Sequence, residues 1–169
     1  MTLMVRDIMT VGVPTCSPDF SIIELVEIMI EKSHESVVVQ NIEGHAIGYI
    51  SREEIVKAYA AGNFEELKAE EVMNNKLPQL PPDIPVSTAA QMMRDMGVRV
   101  VYMTHHAGGI EYPAAQLTYD HVLSHMANKD GELPKSVGIK ADRKSPIELF
   151  IERRDAALKK NISEKKQGE

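Results

Sequence analysis

Residues 1 to about 128 are one unit written twice, and no other property of the chain narrows its possible folds so far. Displacing the 169-residue sequence by 64 positions lays Val5-Arg6-Asp7-Ile8-Met9 over Ala69-Glu70-Glu71-Val72-Met73 without a gap. The same displacement puts Leu3 over Leu67, Pro14 over Pro78, Pro18-Asp19 over Pro82-Asp83, Met29 over Met93 and Val37 over Val101. A short insertion around His105 to Tyr112 then moves the offset to 67, so that Gly48-Tyr49-Ile50-Ser51 lies over Ala115-Gln116-Leu117-Thr118. The chain therefore divides into a first repeat, 1–64, a second, 65–128, and a remainder, 129–169.

Each unit has its own order of elements. Ile22, Ile23, Val26, Met29 and Ile30 recur at helical spacing behind the start signal Pro18-Asp19 and Ser21, which predicts a helix over about 20–32. Residues 36–40 and 46–50 are short apolar strands flanking the turn residues 41–44. Ser51-Arg52-Glu53-Glu54 opens a second helix with Ile55, Val56 and Tyr59 on its apolar side and Gly62-Asn63 at its end. The second unit repeats this as helix 86–96, strand 99–104, a long loop, strand 114–117 and helix 119–127. The unit is β-α-β-β-α, preceded by a short segment that crosses over from its partner. One copy cannot bury both faces of a three-stranded sheet, so an α+β pair packed sheet to sheet about a pseudo-two-fold axis is expected, with two related clefts.

Composition removes several classes of function. Hydrophobic residues at 43% and charged residues at 26% suit a chain with a real core. The longest apolar runs, such as Val37-Val38-Val39, fall far short of the roughly 20 residues that cross a bilayer. Arg6 and Asp7 interrupt the opening MTLMVRDIMT where an export signal would be apolar, and the single Cys16 cannot form an internal disulfide, so a cytoplasmic protein is expected. The net charge of −6 is uneven: residues 1–128 hold 8 basic and 17 acidic side chains, and 129–169 hold 11 and 8. A body at −9 disfavours nucleic acid. With no phosphate loop of the Walker type, no paired cysteines and no Ser-His-Asp order, no enzyme is expected.

The ordered set Val5-x-Asp7-Ile8-Met9-Thr10, Pro14-Thr15-x-Ser17-Pro18-Asp19, Val37-Val38-Val39, Asn41-x-x-Gly44 and Gly48-Tyr49-Ile50-Ser51-x-x-Glu54, occurring twice, resembles the CBS domain, and the tandem resembles a CBS pair, or Bateman module. The resemblance implies two CBS repeats with a C-terminal helix outside them. It also implies a regulatory, homodimeric module that binds an adenosine-containing ligand, such as AMP, ADP, ATP or S-adenosylmethionine, between its repeats and signals to an effector protein; no cofactor beyond that ligand is implied. The family motif Gly-h-h-Ser/Thr-x-x-Asp supplies a hydroxyl to a phosphate and a carboxylate to a ribose; the matching positions here are Gly48, Ser51 and Glu54, then Thr118 and His121, and neither repeat has the Asp. By the same resemblance the adenine slots are walled by Thr15, Val37 and Val38 and by Gln79, Val100 and Val101.

A strand that ends where a helix begins offers free N–H groups to an anion. Arg52 adds a cation at the first junction, where the second has Tyr119. Neutral His121 accepts one hydrogen bond at most, which makes the second cleft the weaker. Plainer readings stand beside these: Ser51-x-x-Glu54 is also a capping box that needs no ligand; Cys16, over Leu80, is an inert core residue; and His34, over Val98, is a strand-edge residue. His121 and His125 have the i, i+4 spacing of helix-borne metal ligands, behind His105-His106 in the preceding loop, but a third ligand is wanting and no Glu follows the first His, so no metal is expected. In the remainder, Ser145-Pro146-Ile147-Glu148 starts an amphipathic helix with a basic end. The competing function is a degenerate pair kept as a dimerisation or interaction scaffold without nucleotide. The acidic body further predicts a preference for ligands with few phosphates over ATP.

Overall fold

Each repeat begins inside the other. The computed structural model of the chain describes residues 2–127; the linker and helix expected in 129–169 lie outside the described residues. The elements run α1 (Val5–Ile8), β1 (Thr10–Val11), β2 (Thr15–Cys16), α2 (Ile22–Glu31), β3 (Ser36–Gln40), β4 (Ala46–Ser51), α3 (Arg52–Ala61), a 3-10 turn (Phe64–Glu66), α4 (Ala69–Val72), α5 (Val86–Met96), β5 (Val100–Ala107), β6 (Ile110–Thr118) and α6 (Tyr119–Ala127). The short helices α1 and α4 are exchanged. Val5 and Arg6 donate their amides to Ile84 and Pro82, and Ala69 and Glu70 do the same to Phe20 and Pro18. Val5 is fully buried in the core of the second repeat, beside Met93, Val101 and Leu117, while Ala69 fills the equivalent place beside Met29, Val37 and Ile50. The segments that follow cross over too: β1 pairs Thr10 with Gln116, and Asn74 makes a single bridge to Tyr49.

Two three-stranded sheets result, ordered β2-β3-β4 and β1-β6-β5. Strands β3 and β4 are antiparallel, with Val37 opposite Ile50 and Val38 opposite Tyr49; β5 and β6 place Val101 opposite Leu117 and Tyr102 opposite Gln116. Alternation along β3, β4 and β5 divides the core. Val37 and Val101 face their own helices, whereas Val38, Tyr49, Val100 and Tyr102 pack between the sheets. Tyr102 is fully buried there, edge-on to Tyr49, and its hydroxyl shares a hydrogen bond with Ser36 Oγ from the other repeat. That bond removes the penalty of burying a phenol among aliphatic groups.

The helical spacing is realised at equivalent positions: Ile22, Leu25 and Met29 are buried on α2, and Val86, Ala89 and Met93 on α5. Four residues expected on the apolar sides are instead exposed, Ile23 and Ile30 on α2 and Val56 and Tyr59 on α3. Each helix touches its sheet along one narrow stripe, and on α3 that stripe is occupied by Glu54 and Ala58. A second correction concerns the loop expected between strands 99–104 and 114–117. Residues 100–118 form one long hairpin closed by Gly108-Gly109, both at positive φ, with His105 opposite Tyr112 and His106 opposite Glu111. Gly-Gly suits the two-residue turn whose twist matches paired strands. A third is His34, which lies in the turn that ends α2, donating its amide to Met29, rather than on a strand edge. Cys16 is half-buried against the first core, and burial pushes its thiol up to about 11, away from reactivity.

Gly48 is where the crossover comes closest. A Cβ there would sit 2.8 Å from both Asn74 O and Met73 Sδ, so the returning segment fits against β4 only because no side chain intervenes. Gly48→Ala is expected to destabilise the fold by about 1–3 kcal/mol through overpacking, seen as a lower urea midpoint at unchanged m value.

Candidate functional site

The strand-to-helix junction of the first repeat is a closed capping box. Ser51, in extended conformation, ends β4, and its amide donates to Glu54 Oε2 at 2.9 Å. Its hydroxyl donates to the same oxygen and accepts the Glu53 amide at 3.2 Å. The Arg52 amide donates to Glu35 O, and the Arg52 side chain donates from Nε to His34 O at 3.1 Å while lying 3.7 Å from the Glu35 carboxylate. The expectation of free amides for a phosphate is therefore not met: these donors and the Ser51 hydroxyl already have partners within the chain.

The second junction builds the same cap from an imidazole. Thr118 donates its amide to His121 Nδ1 at 2.9 Å, and the Thr118 hydroxyl lies 2.8 Å from the same nitrogen. A backbone N–H can only donate, so Nδ1 is the acceptor and the ring proton sits on Nε2, which donates to Thr10 Oγ1 at 2.7 Å. Neither ring nitrogen is left to accept from a ribose. His121 instead ties the crossing strand β1 to the start of α6, and burial holds its pKa below the ordinary 6.5.

A cleft of about 470 Å³ opens beside the first junction. Its walls are Ser51, Arg52 and Glu54 from the first repeat and the turn Gly97-Val98-Arg99-Val100 from the second, with Tyr49 and Asn74 also lining it. Of the residues singled out from the sequence, the cleft thus gathers Ser51, Arg52, Glu54 and Val100. The others lie elsewhere. Thr15 is exposed on β2, opposite Val38; Val37 and Val101 face helices; Val38 is in the core between the sheets; Gly48 abuts Asn74. Gln79 is bonded to Thr104 and Glu111 at the hairpin edge, and Tyr119 opens α6 with its amide on Arg99 O. Consecutive strand residues point to opposite faces, so Val37 with Val38, or Val100 with Val101, cannot both wall one slot.

Arg99, Glu35, Tyr49 and Lys57 were missed. The signal was present in the repeat register: once the β-α junction of one repeat faces the α-β turn of the other, the residues before β3 and β5, Glu35 and Arg99, become cleft residues. Glu35 has its pKa raised by burial, against the lowering pull of Arg52 and Arg99, with Asp120 raising it further. Lys57 is held by Glu53 at 2.8 Å. Among the described residues no three His, Cys, Asp or Glu gather into a metal-holding group, and no helix is long and apolar enough to cross a membrane.

Comparison with known proteins follows the same lines. The CBS domain model matches residues 5–61 and 69–111. The fold is similar to that of an uncharacterized conserved protein from Pyrococcus horikoshii, with TM-score 0.67 and 18% identity over 79% of this chain and 98% of that one. It is similar to the CBS domain pair of protein MJ0100, solved with 5′-methylthioadenosine and S-adenosyl-L-methionine, with TM-score 0.66 and 22% identity over 76% and 99%. A CBS-domain protein from Agrobacterium tumefaciens, ATU1752, gives TM-score 0.64 and 20% identity over 73% and 92%. At these identities the likeness is one of fold. No match is found among curated proteins.

The cap makes a pH prediction. Because the folded pKa of His121 lies below its unfolded value, the stability this residue contributes is present above the ordinary histidine range and is lost as pH falls through the folded pKa. The urea midpoint of the wild type is expected to fall between about pH 7 and pH 5. His121→Gln, which keeps an acceptor for Thr118 and does not titrate, should flatten that dependence; the burial-depressed His34 accounts for a residual slope.

Proposed function

Since this chain belongs to the CBS domain family and carries the repeat in tandem, we propose that it is a ligand-sensing regulatory module rather than a catalyst, and that it takes an adenosine-containing small molecule in the cleft between its repeats. The observation that carries this reading is the joining of Ser51, Arg52 and Glu54 to the Gly97–Val100 turn of the other repeat in one open space. Glu54 has Oε2 engaged by Ser51, and its second oxygen is the natural acceptor for a ribose hydroxyl. Val98 and Val100 offer apolar surface beside the Tyr49 ring for a flat base. The MJ0100 pair, of similar fold, was solved with two adenosine compounds, neither bearing a phosphate, which agrees with the preference for few phosphates drawn from the acidic body.

The module works as a homodimer in this proposal. The apolar side chains left exposed on α3 and α6, Val56 and Tyr59 with Leu123 and Met126, supply a surface that water leaves unsatisfied. A ligand that draws the Ser51 junction and the Arg99 turn together would move α3, with Val56 and Tyr59, relative to Leu123 and Met126 on α6 and so be read by an effector protein. The closed capping boxes favour a second reading, an interaction scaffold that needs no nucleotide, because both junctions are complete without a ligand.

Thermal denaturation with 5′-methylthioadenosine, S-adenosylmethionine, AMP, ADP and ATP separates the two. The sensing reading expects at least one compound to raise Tm, by an amount that reflects about 2.7 kcal/mol at a hundredfold excess over Kd. No rise with any of them at about 1 mM leaves the scaffold, since such weak binding contributes less than about 1 kcal/mol.

A further inference from the structure

We infer that Tyr49 reads the base: its hydroxyl donates a hydrogen bond to N3, the acceptor on the sugar edge of an adenine ring lying in the cleft at the Ser51 junction. The inference rests on the adenosine reading above and adds the side chain that recognises the base.

Two tyrosines stand in the layer between the sheets, and the protein satisfies the hydroxyl of only one. Tyr102 is fully buried and shares a hydrogen bond with Ser36 Oγ. Tyr49 is 4% exposed, lies edge-on to Tyr102, and belongs to one cluster with Val38 and Val100. Among the described residues its hydroxyl has no hydrogen-bond partner, although Ser51 and Glu54 nearby are bonded to each other. Nor is that hydroxyl sealed in the core. The single fully buried side-chain polar atom without a partner among the described residues is Gln116 Oε1, so the tip of Tyr49 ends in open space. The space that Tyr49 lines is the cleft of about 470 Å³. A phenol whose ring is gripped by the core and whose tip is left to a cleft presents a fixed polar group to whatever enters.

The surroundings specify the kind of group it meets. Burial, with the nearby charges of Glu54 and Glu53, pushes the Tyr49 pKa up to about 12, so the phenol keeps its proton and donates. Its main chain is held on both sides, by Val38 across the β3–β4 ladder and by Asn74, with which it exchanges two hydrogen bonds. The ring packs with Val100, an apolar wall of the base position, and feels the carboxylate of Glu54, the acceptor for the ribose. The hydroxyl thus belongs to the boundary between base and sugar. N3 is the adenine ring nitrogen at that boundary, and it can only accept. Glu54 cannot serve it, and the donors of Arg52 and Lys57 are engaged by Glu35, the His34 carbonyl and Glu53.

Calorimetric titration of the full chain with adenosine and with 3-deazaadenosine, in which a C–H group replaces N3, tests this. Tyr49→Phe should bind adenosine about tenfold more weakly than the wild type, since the ring nitrogen is then left without a partner. The wild type should bind 3-deazaadenosine about tenfold more weakly than adenosine, and Tyr49→Phe should change that weaker binding less than about twofold, a coupling that a merely structural role for Tyr49 does not produce. Tyr49→Phe should also keep the wild-type urea midpoint, because the hydroxyl it removes bonds to nothing in the chain, whereas Tyr102→Phe should lower it by breaking the bond to Ser36. Adenosine affinity unchanged in Tyr49→Phe, equal losses for the two compounds in that variant, or a urea midpoint lowered as far as in Tyr102→Phe would each overturn the inference. Failure of the wild type to bind adenosine would instead remove the adenosine reading, and this inference with it.

Discussion

The exchange of leading segments between the repeats is the constraint on which the rest depends. Val5 completes a core made of residues far along the chain, and Ala69 completes the core that precedes it. Neither repeat owns all of its own interior. Burial of such side chains is worth about 1.5–3 kcal/mol for a residue the size of Val, and the gain is realised only when both repeats are in place. The crossing segments follow from the same exchange, since Thr10 and Asn74 are carried to the opposite sheet by the helices that precede them. Once both segments are docked, the two sheets face each other across Val38, Tyr49, Val100 and Tyr102, and the Ser36–Tyr102 bond fixes their register. The position of the Ser51 junction opposite the Gly97–Val100 turn is a consequence.

This geometry also explains why the two junctions differ in their chemistry although they share a shape. A helix start at the end of a buried strand must satisfy its amides, and the chain does so internally in both repeats. Glu54 leaves one oxygen over after doing so. His121 leaves nothing, because its second nitrogen serves the crossover strand. The same replacement that strengthens the tie between β1 and α6 thus removes an acceptor from the second cleft. The side chains of the first cleft that lie outside the cap, Arg52, Arg99 and Tyr49, are free of the helix's own hydrogen-bonding needs, and in the proposed site selectivity falls to them.

Most of the fold was legible because the repeat doubles every signal: a helix start or a strand seen weakly in one unit is seen again 64 positions on. The buried stripes Ile22-Leu25-Met29 and Val86-Ala89-Met93 fall at that spacing, and so do the crossing residues Thr10 and Asn74. The outer half of the hairpin of 100–118, between the strands expected at 99–104 and 114–117, was read as a loop because the insertion breaks the register there, although Gly108-Gly109 carries the turn chemistry. The junction residues Ser51 and Glu54 were legible from their spacing. Their closure as a capping box was legible from the same spacing; the matching cap at the second junction was not, since it rests on one imidazole reaching Thr118 and Thr10 at once. The walls of the cleft were misplaced for a different reason: they come from the other repeat, and only the pseudo-two-fold relation, applied residue by residue, brings Arg99 to Arg52.

The central claim is that the space between the Ser51 junction and the Arg99 turn is a binding site for an adenosine compound. The most direct measurement is the change in backbone amide resonances when 5′-methylthioadenosine is added to the uniformly labelled chain. The account predicts saturable shifts concentrated at Ser51, Arg52 and Asn74 and at Gly97 to Val100, residues from both repeats responding together. Shifts confined to one repeat, or to the Thr118 junction, or none at all, would contradict it.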